Sequence, residues 1–326
     1  ILPLFPFYVE RMGASPEIIT LTMAVFSLGQ FVAAPLWGRL SDSIGRKPVL
    51  ILTLLGSGLS YVLLAYAPNL TVVILSRMLS GLMAGNVSIA FAYVTDITDD
   101  SNRAAGLGKV SAALGLGFMT GPAIGGLLAG NNVENANYLL TAWAAAGINF
   151  LAMVAAIVFL KESLDAKKRK PFEGFSKIVA LATFTPAKSI LPLVSCGLIF
   201  YTAMSLMESI FPLWANKIFS YGPSHIGGVF FMLGSLGVII QGGLIGRLTN
   251  FFGEKKLVQL AALSLMAGLI LIGGATYAFS LWIGLFFFGC GTAMFNPRLS
   301  SLISKSANPT ARGLYLGHYQ AACSMG

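Results

Sequence analysis

The sequence predicts an all-helical membrane protein built as two similar halves, and three observations carry that reading. Hydrophobic residues make up 56% of the 326 residues and charged residues only 10%, for a mean hydropathy of +0.79. A soluble domain is about a quarter charged and must cover itself with polar groups, so this apolar surplus exceeds what a core can hold. Apolar segments of roughly 20 residues, the length that crosses about 30 Å of hydrocarbon, recur from end to end. Short sequence patterns also return at a constant offset of 208 residues. The net charge of +9 finds no basic, aromatic-laced face of the kind that binds nucleic acid. Cys196, Cys290 and Cys323 lie in apolar runs and read as small hydrophobes, not as a disulfide framework or a metal site.

Taken in chain order, Ile1 to Val9 is hydrophobic and reads as the interior of a first span, with no charged start and cleavage site of a signal peptide. Full spans are expected near 17–37, 48–66, 70–94, 104–129, 137–160, 189–215, 223–246, 256–276 and 279–303. Leu314 to Gly326 begins an eleventh, and a twelfth is expected beyond it. Alternate loops hold Arg39, Arg46, Lys47, Arg103, the run Lys161 to Lys188, Arg247, Lys255, Lys256, Lys305 and Arg312. The other set holds little beyond Arg11 and Lys217, so the first set is expected on the cytoplasmic side of a plasma or inner membrane. Residues 161–188 form the one long polar connection, dividing a bundle at 1–160 from a second at 189–326.

The halves repeat. In "GRLSDSIGRKPVL" (38–50) and "GRLTNFFGEKKLV" (246–258), Gly38, Arg39, Leu40, Gly45 and Lys47 match Gly246, Arg247, Leu248, Gly253 and Lys255. At the same offset Gly29 matches Gly237 and Gly81 matches Gly289. Shared positive charge is expected of any two cytoplasmic loops, but glycines in step across several spans are not. Duplicated halves mark secondary transporters, whose substrate site lies where the repeats meet.

Three stretches carry a family resemblance. "GRLSDSIGRKPVL" resembles the loop signature between spans 2 and 3 of the major facilitator superfamily. "GFMTGPAIGG" (117–126) resembles the span 5 signature of that superfamily's drug/proton antiporters, and "LSRMLSGLMAGNVSIAFAYVTDIT" (75–98) their fourth span. Together they are most similar to the tetracycline efflux antiporters, more densely over 16–130 than afterwards. The resemblance implies two six-helix bundles around a central cavity, and proton-driven export of a small, partly apolar, drug-like compound by alternating access.

Candidate functional residues follow. Gly38 and Gly45 allow close helix ends and a sharp turn. Asp42 ends span 2 and Arg46 starts the next helix, and the resemblance places Asp96 with them; Arg247, the repeat counterpart of Arg39, is counted in the same cytoplasmic gate. Such a cluster can latch the halves on the cytoplasmic face; the plainer reading makes the basic residues topology markers, for which Asp42 is redundant. Gly117, Gly121 and Gly125 fall on one helix face where another backbone can pack, and Pro122 bends that helix. With Gly126, the resemblance implies a bend that seals the cavity of antiporters; plain small-residue packing is the alternative. Glu208 lies within a span with nothing basic before Lys217, and an ionisable group at that depth is costly enough that function is the default reading. A place near the outer headgroups is its alternative. Tyr201, Met204, Ser205 and Pro212 share its face. At the 208 offset its counterpart falls just before Ile1, where the resemblance implies a first-span coupling carboxylate. Arg77 needs a partner from another helix, and the resemblance makes it a proton-relay or substrate-anion contact; snorkelling to the outer interface is the alternative. Gln30, Asn86, Gln241, Asn296 and Gln320 are uncharged polar residues in spans, able to line a cavity or bond a neighbouring helix.

No GxxxxGK[ST] pattern occurs to hold ATP phosphates. His225 and His318 stand apart with no ligand cluster, so neither a metal nor another cofactor is expected, and no catalytic pattern suggests an enzyme. The expected partners are a small-molecule substrate, protons and the lipid bilayer, with the chain a monomer. A sugar or metabolite carrier of the same fold, a lipid flippase and a transport-dead sensor are the alternatives.

Overall fold

The computed structural model describes residues 4–99, 102–165, 169 and 191–306, and these are helical almost throughout, with no strand among them. The helices in order are α1 (Phe5–Glu10), α2 (Pro16–Ile44), α3 (Arg46–Ala65), α4 (Leu70–Leu82), α5 (Asn86–Ile97) and α6 (Arg103–Ala129). They continue with α7 (Tyr138–Phe159), α8 (Leu191–Phe219), α9 (Pro223–Ile239), α10 (Ile245–Phe252), α11 (Glu254–Gly273) and α12 (Ala278–Ser306). A π-turn, Ile240–Leu244, joins α9 to α10.

Among the described residues nine helical segments are long and apolar enough to cross a membrane, counting α4 with α5 and α9 with α10 as one each. Their limits fall within a few residues of the expected spans, apart from C-terminal extensions of α2 and of α9 with α10. The eleventh run, Leu314 to Gly326, lies outside the described residues. Helix starts follow local chemistry. Pro16 and Pro223 sit at the first helical positions, where no N–H is needed. The Asn69 and Asn137 side chains accept from the Val72 and Leu140 N–H groups as N-caps. The α7 segment is apolar on all sides while only 17% of its span is buried in the protein. A helix of that kind takes lipid as its solvent.

Packing divides the chain into two units. The first holds α2 to α5, α7 and the first third of α6. There α3 packs against α7 and α4, and α2 against α4, with Val49, Val73, Ile89 and Ala146 fully buried. The second holds α8 to α12 and, from Ala112, the rest of α6. Its centre is the α11–α12 pair, where a methyl group on Gly268 would stand 2.5 Å from the Phe288 backbone nitrogen. Phe200, Ala261, Phe295, Leu299 and Ile303 form a core joining α8 to that pair.

Candidate functional site

In the first unit the ends of α2, α3 and α5 converge on one guanidinium. Gly45 links α2 to α3 at φ 115°, ψ 157°, a conformation that L side chains avoid. The turn aims Arg46 back along α2. Its guanidinium contacts Asp42 at 2.6 Å and Asp96 at 3.0 Å and donates to the Ser41 hydroxyl at 2.6 Å. The Arg46 and Asp96 side chains are 10% and 23% exposed, so this pair is the better shielded; Asp42, at 41%, meets solvent. The structure thus brings Asp42, Arg46 and Asp96 together, whereas Gly38 lies inside α2 with open space beside it.

Sequence reading missed the third acid of this cluster. Glu162, just beyond α7, accepts from the backbone N–H of Arg46 at 2.8 Å and of Lys47 at 3.2 Å. Its carboxylate caps the N-terminus of α3, where the helix dipole favours a negative group. A methyl group on Gly45 would run into that carboxylate. Ser163 donates to Asp96, and the Lys47 ammonium donates to the Ile157 carbonyl. The signal was the polar triplet "KES" directly after an apolar run, but nothing local says which helix end it meets.

Deeper in the same unit Arg77 is 2% exposed, with its guanidinium carbon 5.9 Å from the Phe26 ring centroid and 5.8 Å from that of Tyr61. Its partners come from α2 and α3, and the side chain does not reach out to an interface. The span that carries it is broken at Met83–Gly85, between α4 and α5. The indole N–H of Trp37 donates to the Leu82 carbonyl, one of the groups that the break frees. Asn86 opens α5 beside the break, and Gln30 is half-buried on α2.

In the second unit α6 meets α9 backbone to backbone. A methyl group on Gly227 would stand 2.7 Å from the Pro122 carbonyl oxygen and 3.2 Å from the Gly126 Cα; one on Gly234 would stand 2.6 Å from the Met119 Cα. Gly125 is buried, while methyl groups on Gly117 and Gly121 would meet nothing within 4 Å. The tight face of α6 therefore runs through Met119, Pro122 and Gly126, one position away from the glycine stripe of the sequence.

Glu208 is half-buried on α8, about 26 Å along the axis from Leu191 at 1.5 Å per residue, and no described residue offers it a hydrogen bond or ion pair. One turn and two turns before it, Met204 packs on the α8–α12 core and the Tyr201 hydroxyl accepts from the Asn296 side-chain amide at 2.8 Å. Gln241 lies exposed in the π-turn and Arg247 is exposed on α10; Gln320 lies outside the described residues. A further pair was not foreseen: Glu254, at the start of α11, stands 3.9 Å from Arg298 and accepts from the Ser301 hydroxyl at 2.9 Å. At the 208 offset Glu254 is the counterpart of Arg46, so the two repeats place opposite charges at one structural position.

The chain is 31% identical over 284 residues to multidrug resistance protein 2 of Bacillus subtilis, covering 86% of this chain and 67% of that protein. It is 27% identical over 332 residues to the class C tetracycline resistance protein of Escherichia coli, covering 100% and 82%. Among solved structures it resembles the human organic anion transporter MFSD10 (TETRAN) with a TM-score of 0.68 and 27% identity, over 94% of this chain and 74% of that one. The Major Facilitator Superfamily model matches residues 1–326. Apolar helices throughout, repeated glycine-bracketed loops and a match over the whole length lead to one conclusion: this chain belongs to the Major Facilitator Superfamily, whose members are multi-pass membrane transporters of small molecules and not enzymes.

Proposed function

We propose that this protein exports a small, partly apolar compound in exchange for protons. The observation that carries the proposal is Glu208, a carboxyl within a membrane span that has no ionic or hydrogen-bonding partner among the described residues. A group that costly is retained for a task, and taking up and releasing a proton is the task a lone carboxyl performs. Likeness to multidrug and tetracycline resistance proteins supports the drug-like cargo. Protonation favours one of two access states, by no more than the difference in proton affinity between them. Within the same proposal, the cluster at Arg46 holds the ends of α2, α3 and α5 in one arrangement on the cytoplasmic face and sets the balance of states. The seam between α6 and α9 limits leakage, and the bundles are those of residues 1–160 and 189–326.

Proteoliposomes under an imposed proton gradient test this with tetracycline and ethidium as probes. Wild-type protein accumulates at least one probe, while Glu208→Gln, fixed in the neutral form, loses accumulation and keeps downhill exchange. Normal accumulation by the Gln variant removes Glu208 from coupling. A second reading is carriage of an organic anion, which Arg77 and the likeness to the human organic anion transporter favour. An organic anion in the same panel, taken up by wild type but not by Arg77→Gln, would select it.

A further inference from the structure

The span formed by α9, the π-turn and α10 is held firmly at one end and loosely at the other. Its first part is pinned, because Gly227 and Gly234 bring α9 into backbone contact with Pro122, Gly126 and Met119 of α6. After Ile239 the hydrogen bonding changes, and the Ile245 N–H reaches the Ile240 carbonyl, five residues back instead of four. Methyl groups on Gly242, Gly243 or Gly246 would meet nothing within 4 Å, and α10 has no buried residue. Ile240 is buried and the turn touches α12, so packing anchors the start of the turn but not its glycines or α10. Beyond α10 comes a second joint, Gly253 at φ 74°, and then Glu254, tied to Ser301 and Arg298. The repeat adds an independent observation. Pro35 of α2, shifted by 208, falls on position 243, inside the π-turn. Both related spans thus lose a regular backbone hydrogen bond at the same place in the repeat, although α2 stays α-helical through Pro35. In α2 the proline lacks an N–H, so the missing bond cannot be restored. In the second span every N–H is present, and the turn can close.

We infer that the π-turn Ile240–Leu244 is a convertible hinge, which closes to α-helix during transport and turns α10 as a short lever between two joints. Closing a π-turn shifts everything after it by one residue, a rotation of up to about 100° and an advance of about 1.5 Å along the axis. The lever carries Arg247 and leads into the loop at Gly253, so a change at the depth of Gln241 is delivered to the end of the span. In the first repeat Pro35 makes the missing hydrogen bond a permanent one. The inference rests on a change of access state, which the family supplies, and not on proton coupling or on the cargo.

The test places spin labels at Asn250 on α10 and Gln259 on α11, both exposed, after Cys196, Cys290 and Cys323 are replaced by serine. Label distances are measured in lipid nanodiscs at acidic and alkaline pH, with and without tetracycline. A rotation of 100° moves a side chain at a radius of about 5 Å by on the order of 8 Å. Wild-type protein is expected to show two distances whose weights change with condition. Deleting Gly242 removes the extra residue while keeping the register of both flanks, so one distance remains and transport falls at least roughly tenfold. Should the deletion fail to fold, Gly242→Ala with Gly243→Ala favours the α form and shifts the weights toward it. A single unchanging distance in wild type, a deletion variant that transports normally, or an alanine pair with unaltered weights overturns the hinge. Two distances that exchange with condition, with neither tetracycline nor ethidium accumulated in proteoliposomes under a proton gradient, uphold the hinge and reject the proposed proton-driven export.

Discussion

Arg46 collects three oxygens from three directions, Ser41 and Asp42 on α2 and Asp96 on α5, while its own backbone N–H is taken by Glu162. Each contact is of a different strength. Asp42 is solvent-screened and its pair is worth little on its own. Asp96 is the shielded partner, and an ionic hydrogen bond of that kind contributes about 1.5–3 kcal/mol. Asp96→Asn is therefore expected to slow transport about tenfold, and Asp42→Asn by less, at normal membrane yield; flux assays on matched protein amounts check the order. Gly45 has no substitute at φ 115°, where another residue costs on the order of 1–3 kcal/mol and its Cβ would strike Glu162. Gly45→Ala should lower the apparent Tm in detergent and reduce folded yield, whereas Gly38→Ala, in open space, should leave both near wild type.

At the scale of elements, the contact between α6 and α9 depends on having no side chain where the backbones cross. Gly227 and Gly228 are adjacent and make a matched pair for experiment. A methyl group on Gly227 would press on the Pro122 carbonyl oxygen, while one on Gly228 would meet nothing within 4 Å. Overpacking of that kind costs about 1–3 kcal/mol. Gly227→Val should broaden the size-exclusion profile and lower the apparent Tm, with Gly228→Val close to wild type; equal effects would mean the helices do not cross there. The broken span is a second case. Trp37 satisfies the Leu82 carbonyl, and a carbonyl left unpaired away from water costs about 1–3 kcal/mol. Trp37→Phe removes the donor together with the pyrrole half of the indole, so its loss of apparent Tm sums the bond and the packing against Gly85.

For the whole molecule, the expectation to test is sidedness. The positive-inside rule assigns the Gly45 and Gly253 turns to the cytoplasm and the turn between α6 and α7 to the outside. A cysteine at Asn132, in a background without the native cysteines, should react with an impermeant maleimide added to intact cells. One at Asn250 should react only after the membrane is opened. The reverse pattern would invert the protein and turn the proposed exporter into an importer.

Nine spans were legible because length, apolarity and the punctuating glycines, prolines and asparagines are local properties, and a helix in lipid must satisfy its backbone within itself. Glu162 was not legible, since it lies 116 residues from Arg46 and only the packing of α3 against α7 brings the two together. The tight face of α6 was misplaced for a related reason: the spacing shows which residues share a face, and the rotation of α6 against α9 decides which face is used. Nor does composition mark the π-turn or the break at Met83–Gly85, because the shift of one hydrogen bond costs little locally and is settled by what does or does not pack beside it. By itself the sequence determined the spans, the repeat and the family, all properties of runs and spacings. Only the tertiary structure decided which charges meet and where the helices bend, because those depend on contacts between residues far apart in the chain.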